Sequence, residues 1–216
     1  MSYLITAGVV AVAGIVGTVA AVKLSDKYTR KRVLTTLAIA NNVVDDYINS
    51  KIKLRKDEWF TQINDNIILG AIPLNNLDHL NSLKKLGVKT VISVIEEFER
   101  DETIGIKPVS TEEWNKNGVQ NYVFSVEDFS GIPVKKLNEI VDLINEKVGS
   151  DKVYIHCKSG IGRSALVTIC FLFKYNEKKF NNIYETMLYV KSKRNKIYLN
   201  NDQMNALNKF ESSLNR

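Results

Sequence analysis

Cysteine is scarce in this sequence, whose 216 residues include only Cys157 and Cys170. Two cysteines separated by a helix-like stretch form neither a disulfide framework nor the spacing of a metal site. The scarcity excludes a disulfide-stapled fold and predicts a chain that works in a reducing compartment. Cys170 lies inside the apolar run TICFLF and is predicted to be a core residue.

Internal repeats, low-complexity tracts and basic stripes interleaved with aromatic residues are also absent. The last absence argues against a nucleic-acid partner. The net charge of +6 instead favours anionic partners such as phosphates or acidic lipid surfaces. With 44% hydrophobic residues, the chain is long enough to bury the core of one globular domain, so we expect one functional site.

Charge is missing altogether from residues 3–22, YLITAGVVAVAGIVGTVAAV. A helix rises about 1.5 Å per residue, so this span matches a hydrocarbon core of about 30 Å and predicts a single transmembrane helix. A cleaved secretory signal and a buried core helix are the alternatives, but no basic region precedes the span. Basic residues follow it, which places the rest of the chain on the cytosolic or matrix side, where thiols stay reduced.

The composition divides the chain into three segments. Residues 1–32 are the predicted membrane anchor with its basic flank, residues 33–57 a helical stalk that packs on the domain, and residues 58–216 the domain itself. Within the domain, short apolar runs alternate with segments of helical periodicity. The predicted strands are 67–70, 90–95, 121–126 and 152–156, and the predicted helices are 77–86, 134–148, 162–175, 180–193 and 202–213. This alternation predicts an α/β fold with a central, largely parallel sheet flanked by helices, with ligand sites at the carboxyl ends of the strands.

The segment VYIHCKSGIGRS, residues 153–164, places Cys157 at such a strand end. The chain then turns through Gly160 and Gly162 before a helix begins, so backbone N–H groups converge on one point and form an anion cradle. A thiol in that cradle, beside the Arg163 guanidinium, is expected to have a pKa well below the reference of about 8.5. Cys157 is therefore a candidate nucleophile.

Arg163 and Ser164 complete the chemistry of this loop. The guanidinium fork of Arg163 can hold two phosphoryl oxygens and stabilise the charge of an in-line transition state. The Ser164 hydroxyl can donate to the thiolate and help it leave again. The alternative interpretation is a buried cysteine beside a glycine turn, which would leave the arginine, the serine and the paired glycines as unrelated features.

His156 and Cys157, followed after five residues by Arg163 and Ser164, resemble the signature of the cysteine-dependent tyrosine and dual-specificity phosphatases. The resemblance implies a phosphatase that uses no metal and no cofactor. It implies that Cys157, Arg163 and Ser164 are catalytic and that His156 has a supporting role. The substrate-binding residues that it implies are Lys158, Ser159, Gly160, Ile161 and Gly162.

The same resemblance implies a general acid on a loop that precedes the nucleophile. That position falls in SVEDFSGIP, residues 125–133, which offers Glu127 and Asp128. Matching Ser125 and the tripeptide GIP to the family's pattern selects Asp128, and Glu127 is the alternative.

From about Trp59 to Phe210 the chain resembles the mitochondrial phosphatidylglycerophosphate phosphatases, a lipid-specific branch. The shared segments include WF, LGAIPL, the run EEFE at 96–99, EEWNKNGV, the GIP of the acid loop and HCKSG. The resemblance implies a phosphatase that acts on a phospholipid such as phosphatidylglycerophosphate at a mitochondrial membrane. Ile161 and Gly162 replace a basic residue and a serine of that branch, which keeps open a dual-specificity protein phosphatase, beside a phosphate-binding pseudophosphatase.

Other charged positions are assigned from local pattern. Lys158 is either a contact for an acidic headgroup or an exposed loop lysine, and the glutamates of 96–99 are either functional or a solvated cluster at a strand end. His79 is predicted to lie on a helix surface, and Arg194 on a solvated face with its basic neighbours.

Overall fold

The computed structural model describes residues 27–52, 59–102, 106–149, 151–176 and 179–214. The predicted membrane span, residues 3–22, lies outside this part of the chain. Among the described helices, none is both long and apolar enough to cross a bilayer.

Five strands form one sheet in the order β1-β2-β5-β3-β4. The strands are β1 Phe60–Gln62, β2 Ile67–Gly70, β3 Val88–Ile95, β4 Gln120–Ser125 and β5 Lys152–His156. The short edge strand β1 pairs antiparallel with β2, and the other three pairings are parallel. The α/β fold with a largely parallel sheet is thus confirmed, and its parallel strands direct their carboxyl ends to one edge.

Seven helices and two 3-10 turns surround this sheet in the described part of the chain. The helices are α1 Lys27–Ile52, α2 His79–Lys85, α3 Thr111–Lys116, α4 Val134–Lys147, α5 Arg163–Tyr175, α6 Ile183–Lys193 and α7 Asn201–Ser213, and the turns are Asn75–Leu77 and Glu97–Arg100. Helix α5 is buried on all sides over its first three turns, as expected for the central helix of a layer. It is therefore a rigid support for the residues at its N-terminus.

Alternation along the strands divides the core between the two faces of the sheet. Ile67, Leu69 and Ile155 face the layer of α4, α5, α6 and α7. Ile68 and Tyr154 face the opposite layer, where they pack with residues of α2 and α3. The sheet is thus covered on both faces, and its carboxyl edge is left for the site.

Helix α1 packs beside that carboxyl edge. Its Ile39 is buried in an apolar cluster with Trp59, Ile95 and Cys157. The helix includes the first part of the predicted stalk, and residues 53–57 of that stalk lie outside the described chain.

The prediction that His79 lies on a helix surface is wrong. The ring is buried, and its Nδ1 atom accepts the backbone N–H of Leu74 at 3.1 Å. It also contacts the Trp59 ring, with 4.7 Å between the ring centroids. Burial lowers the pKa of His79 to about 4, so the ring is neutral at physiological pH. The local sequence pattern does not indicate this burial, because Leu74 and Trp59 both lie outside the helix that begins at His79.

Candidate active site

Cys157 lies at the carboxyl end of β5, where the chain leaves the sheet for the loop that leads into α5. The residue is 2% exposed, and its Sγ atom accepts the Gly160 N–H at 3.3 Å and the Ser164 hydroxyl at 3.2 Å. Burial works against ionisation of this thiol, but the charge of Arg163 and the bonds from Ser164 and Gly160 outweigh it, so the pKa of Cys157 is lowered. The surroundings of Cys157 therefore favour its thiolate form. By contrast, burial alone raises the pKa of Cys170, which lies in the core as predicted.

The loop between Cys157 and α5 is folded tightly against the end of β2. Gly160 has a φ of 68°, and a Cβ atom there would lie 2.4 Å from the carbonyl carbon of Gly70. A side chain at Gly162 would come within 2.8 Å of the Gln203 amide. Close approach to the Gly70 backbone and the left-handed conformation therefore require glycine at Gly160, whereas the atoms nearest to Gly162 belong to the end of a flexible side chain.

Arg194 stabilises this loop by a hydrogen bond to its backbone. The prediction that Arg194 lies on a solvated face is wrong. The side chain is buried at the end of α6, where its Nε donates to the carbonyl oxygen of Gly160 at 3.0 Å and its Nη1 to the Thr61 hydroxyl at 2.9 Å. Backbone N–H groups of Ile72 and Tyr198 pair with the carbonyl oxygens of Lys158 and Ile161 in the same loop. Arg194 pairs with the carbonyl of Gly160 and so holds the turn of the loop in place.

Arg163 begins α5 and lies buried beside the thiol. It forms a bidentate pair with Glu99, with Nη1–Oε2 at 2.6 Å and Nη2–Oε1 at 3.0 Å, and Nη1 also donates to the Val126 carbonyl at 2.9 Å. Burial disfavours its charge, but the bonds from Glu99 and the nearby negative groups raise the pKa of Arg163. Its Nε atom is buried and has no hydrogen-bond partner among the described residues. That N–H is available to a ligand.

Glu99 is a site residue that sequence reasoning left between two interpretations. It is buried in the 3-10 turn after β3, where its Oε2 atom accepts the Glu96 N–H at 2.8 Å. The Glu96 side chain in turn accepts the backbone N–H of Asp128 at 3.1 Å. The turn therefore connects Arg163 to the loop after β4. The solvated-cluster interpretation fails for Glu99, which is fully paired inside the protein.

The loop after β4 brings Asp128, rather than Glu127, into the site. The Asp128 carboxylate lies 3.0 Å from Arg163 Nη2 and pairs with the Lys158 ammonium. Glu127 is 60% exposed in its side chain and pairs with Lys31 of α1 at 2.8 Å. Lys158 is itself buried, so its interpretation as an exposed loop lysine is wrong.

His156 lies behind the nucleophile at the end of β5. Its Nε2 atom is 2.8 Å from the Ser93 hydroxyl, and its Nδ1 atom is 3.2 Å from the Cys157 carbonyl oxygen. Burial lowers the pKa of His156 to about 4, so the ring is neutral and one nitrogen can donate while the other accepts. It fixes the backbone of Cys157 without adding charge.

A cavity of about 330 Å³ opens over these groups. Cys157, Arg163 and the predicted substrate-binding residues other than Gly160 line it, together with Asp128 from the acid loop. Its lining residues are Ala38, Asn41, Asn42, Asp128, Phe129, Cys157, Lys158, Ser159, Ile161, Gly162, Arg163, Tyr198, Asn200 and Gln203. Gly160, Ser164 and His156 lie behind the surface and act on Cys157 from within the protein. The arrangement combines an activated thiol, a free guanidinium N–H and a carboxylate around one space.

Comparison with known proteins places these residues in a family. Residues 72–213 match the family described as "Dual specificity phosphatase, catalytic domain". The chain is 28% identical over 160 residues to the human "Phosphatidylglycerophosphatase and protein-tyrosine phosphatase 1", covering 73% of this chain and 75% of that protein. It is 26% identical over 181 residues to the Arabidopsis thaliana "Phosphatidylglycerophosphate phosphatase PTPMT2", covering 83% and 72%.

The fold has a solved counterpart. A crystal structure of PTPMT1 in complex with PI(5)P superimposes with a TM-score of 0.64 at 24% identity, covering 73% of this chain and 97% of that one. The match begins at residue 72 in the family comparison, after α1 and β2, so the helix over the cavity lies outside the region that defines the family.

Proposed function

Because the chain belongs to the dual-specificity phosphatase family and is a hydrolase of phosphomonoesters, we propose that it works through a phosphocysteine intermediate on Cys157. The observation that carries this proposal is the buried Arg163 Nε, a charged donor without a partner among the described residues, beside a thiol whose pKa is lowered. A buried donor of this kind is unfavourable unless a ligand completes it. A phosphoryl oxygen is the acceptor that a guanidinium fits best.

In the first half-reaction the Cys157 thiolate attacks phosphorus, an S–P bond forms, and the bond from phosphorus to the alcohol oxygen breaks. Asp128 gives its proton to the departing oxygen. The loop N–H groups and Arg163 stabilise the charge on the transferring phosphoryl group. Asp128 lines the same cavity as Cys157, which supports its role as the proton donor.

In the second half-reaction Asp128, now a carboxylate, takes a proton from water as the water attacks phosphorus. The S–P bond breaks, inorganic phosphate leaves, and the thiolate is restored with help from the Ser164 hydroxyl, which lies 3.2 Å from Sγ. Lys158 contributes a second cation to the cavity and draws an anionic substrate toward it.

The proposed substrate is a membrane phospholipid of the phosphatidylglycerophosphate type. Two aromatic residues at the cavity, Phe129 and Tyr198, are 71% and 69% exposed. Exposed aromatic rings of this kind favour the boundary between a bilayer and water. The names of the human and Arabidopsis relatives and the uncharged span at residues 3–22 support the same proposal. The domain would then face the reducing side of that membrane, and we propose that the membrane is mitochondrial.

A protein phosphatase is the second candidate, because the centre of the loop, Ile161 and Gly162, carries no charge that would hold a lipid headgroup. Vesicles that contain phosphatidylglycerophosphate, vesicles that contain a phosphoinositide and a phosphotyrosine peptide separate the two. We expect the highest kcat/KM on phosphatidylglycerophosphate. A clear preference for the peptide would establish the second candidate instead.

Three variants test the assigned roles. Cys157→Ser should abolish turnover of an aryl phosphate while phosphate still binds, whereas a pseudophosphatase would show no turnover in the wild-type chain. Asp128→Asn should lower kcat on the lipid about 10²- to 10⁴-fold, because the leaving oxygen loses its proton donor. The matched variant Glu127→Gln should stay within about threefold of wild type. Equal losses in the two acid-loop variants would refute the assignment of Asp128.

A further inference from the structure

One wall of the cavity is built by α1, which lies outside the family-matched region. Ala38, Asn41 and Asn42 line the cavity together with Cys157. Residues three and four positions apart lie on one face of a helix, so these three side chains share the face that α1 turns toward the site. The site is therefore built from the loops of the sheet and from α1, a helix that precedes residues 72–213.

The position of α1 over the site is fixed by contacts at two levels. Ile39 is buried in the cluster that contains Trp59 and Cys157. Nearer the start of the helix, the Lys31 ammonium lies 3.0 Å from Glu96 and 2.8 Å from Glu127, so it bridges the turn after β3 and the acid loop. Glu96 also accepts the backbone N–H of Asp128. The helix is thus tied to the loop that carries the general acid.

Asn42 presents a donor that nothing in the described protein uses. Its Nδ2 atom is buried and has no hydrogen-bond partner among the described residues. A buried amide N–H without an acceptor is unfavourable, and most such groups in native proteins are paired. Since Asn42 lines the cavity, an acceptor carried by the substrate is the natural partner.

The proposed reaction determines which part of the substrate reaches this helix. The phosphoryl group occupies the loop at Cys157 and Arg163, and the leaving oxygen faces Asp128. The rest of the leaving alcohol must then lie along the remaining walls, which are α1 on one side and the rings of Phe129 and Tyr198.

Building on the proposed function, we propose that Asn42 of α1 is a specificity-determining residue that donates a hydrogen bond to an oxygen of the leaving alcohol. The alcohol class that fits is a polyol headgroup, whose hydroxyl and ester oxygens are acceptors. An aryl alcohol offers no such atom beyond the leaving oxygen. The helix thereby adds discrimination between phosphomonoesters that share the same phosphoryl group.

The test compares kcat/KM on short-chain phosphatidylglycerophosphate with kcat/KM on an aryl phosphate, using the full chain. Asn42→Leu keeps the approximate shape of the side chain and removes the donor. We expect the ratio of lipid to aryl turnover to fall roughly 5- to 10-fold, mainly through KM on the lipid, because one neutral hydrogen bond is lost. Leu34→Ala, at an α1 residue that is 52% exposed and outside the cavity lining, is the control and should keep the ratio.

Melting temperature separates recognition from a structural role. Removal of an unpaired buried amide should leave the Tm of Asn42→Leu equal to or above that of wild type. A lowered Tm with equal losses on both substrates, or an unchanged lipid-to-aryl ratio, would overturn the inference. If the wild-type chain hydrolyses the aryl phosphate but not this lipid, the proposed substrate fails. The same ratio is then measured on the best substrate among short-chain phosphoinositides, glycerol phosphate and a phosphotyrosine peptide, and an unchanged ratio on that substrate also overturns the role of Asn42.

Discussion

The two histidines of the chain predict a steep loss of stability at mildly acidic pH. His79 and His156 are both buried, and burial lowers the pKa of each ring from 6.5 to about 4. In the unfolded chain both rings titrate near the ordinary value, so below it the unfolded state binds more protons than the folded state. The free energy of unfolding must therefore decrease as the pH falls from about 6.5 toward about 4.

The size of the effect follows from the two shifts. One pKa unit corresponds to about 1.4 kcal/mol. Each ring therefore lowers the free energy of unfolding by about 3 kcal/mol once the pH has fallen below its pKa in the folded state. At about pH 5 both rings are still neutral in the folded state. Each has by then lowered the free energy of unfolding by about 2 kcal/mol, or about 4 kcal/mol for the pair. Because native domains are stable by about 5–15 kcal/mol, this is a large share of the total.

Urea unfolding at about pH 7.5 and about pH 5 measures this difference. These measurements use the Cys157→Ser variant as the parent protein into which further substitutions are introduced. In the wild-type chain, the lowered pKa of Cys157 would add its own loss of stability as the pH falls. Carboxyls with lowered pKa values, such as those of Glu113 and Asp142, titrate below their ordinary values of 4.5 and 3.8 and so act outside this pH window.

In this parent, His79→Asn leaves His156 as the one remaining histidine. The amide oxygen of the introduced asparagine can still accept the Leu74 N–H, but the amide does not titrate. The variant should lose about 2 kcal/mol between the two pH values, half of what its parent loses. Equal unfolding free energies of the parent at both pH values would refute the reasoning. So would a pH-dependent loss in His79→Asn as large as that of the parent.

Two further predictions concern the groups around the thiol. Ser164→Ala removes the hydroxyl that donates to Cys157 Sγ at 3.2 Å, so the pKa of the thiol should rise and alkylation by iodoacetamide just below neutral pH should slow severalfold. A pH profile of alkylation identical to that of wild type would contradict this. Glu99→Gln breaks the bidentate pair with buried Arg163 and should cost up to about 3–5 kcal/mol, seen as a lower Tm together with weaker turnover of an aryl phosphate. Native Tm and native activity in this variant would show that the pair is dispensable.

Local features of the site could be predicted from the sequence, and distant ones could not. Cys157 and Arg163 belong to one contiguous motif, where a strand end, a glycine turn and a helix start follow each other, so their proximity needs no tertiary information. The pairing of Arg163 with Glu99 spans 64 positions, and the bond from Arg194 to Gly160 spans 34. A basic run such as KSKRNK is typical of a solvated face, and only the unpaired carbonyl of a folded loop identifies one member as buried.

The same limit applies to α1, for which the sequence predicts a helical stalk on the domain but no role in the site. Its sequence mixes apolar and polar residues, which indicates packing on the domain but does not identify the surface it covers. The free amide of Asn42 has meaning only once the cavity exists. The choice of Asp128 over Glu127 likewise depended on a family pattern, because neighbouring carboxylates in a loop are equivalent until the loop is folded.

Strand order brings the separate parts of the site together. In the sheet, β3 lies between β5 and β4, so the loops that follow these three parallel strands emerge side by side. The loop after β5 supplies the thiol cradle, the turn after β3 supplies Glu99, and the loop after β4 supplies Asp128. Register completes the alignment, because Ser93 of β3 stands opposite His156 of β5, where their side chains bond.

A slip of one residue in that β3–β5 pairing would turn Ser93 to the other face of the sheet and remove Glu99 from the reach of Arg163. The geometry of the site is therefore set by the pairing register of the buried strands as much as by the residues that touch a substrate. Core substitutions in β3 that preserve volume should leave the Cys157 pKa unchanged, whereas an inserted residue in β3 should abolish both the lowered thiol pKa and turnover. An insertion variant that kept its thiolate would show that the loops hold the site without the sheet.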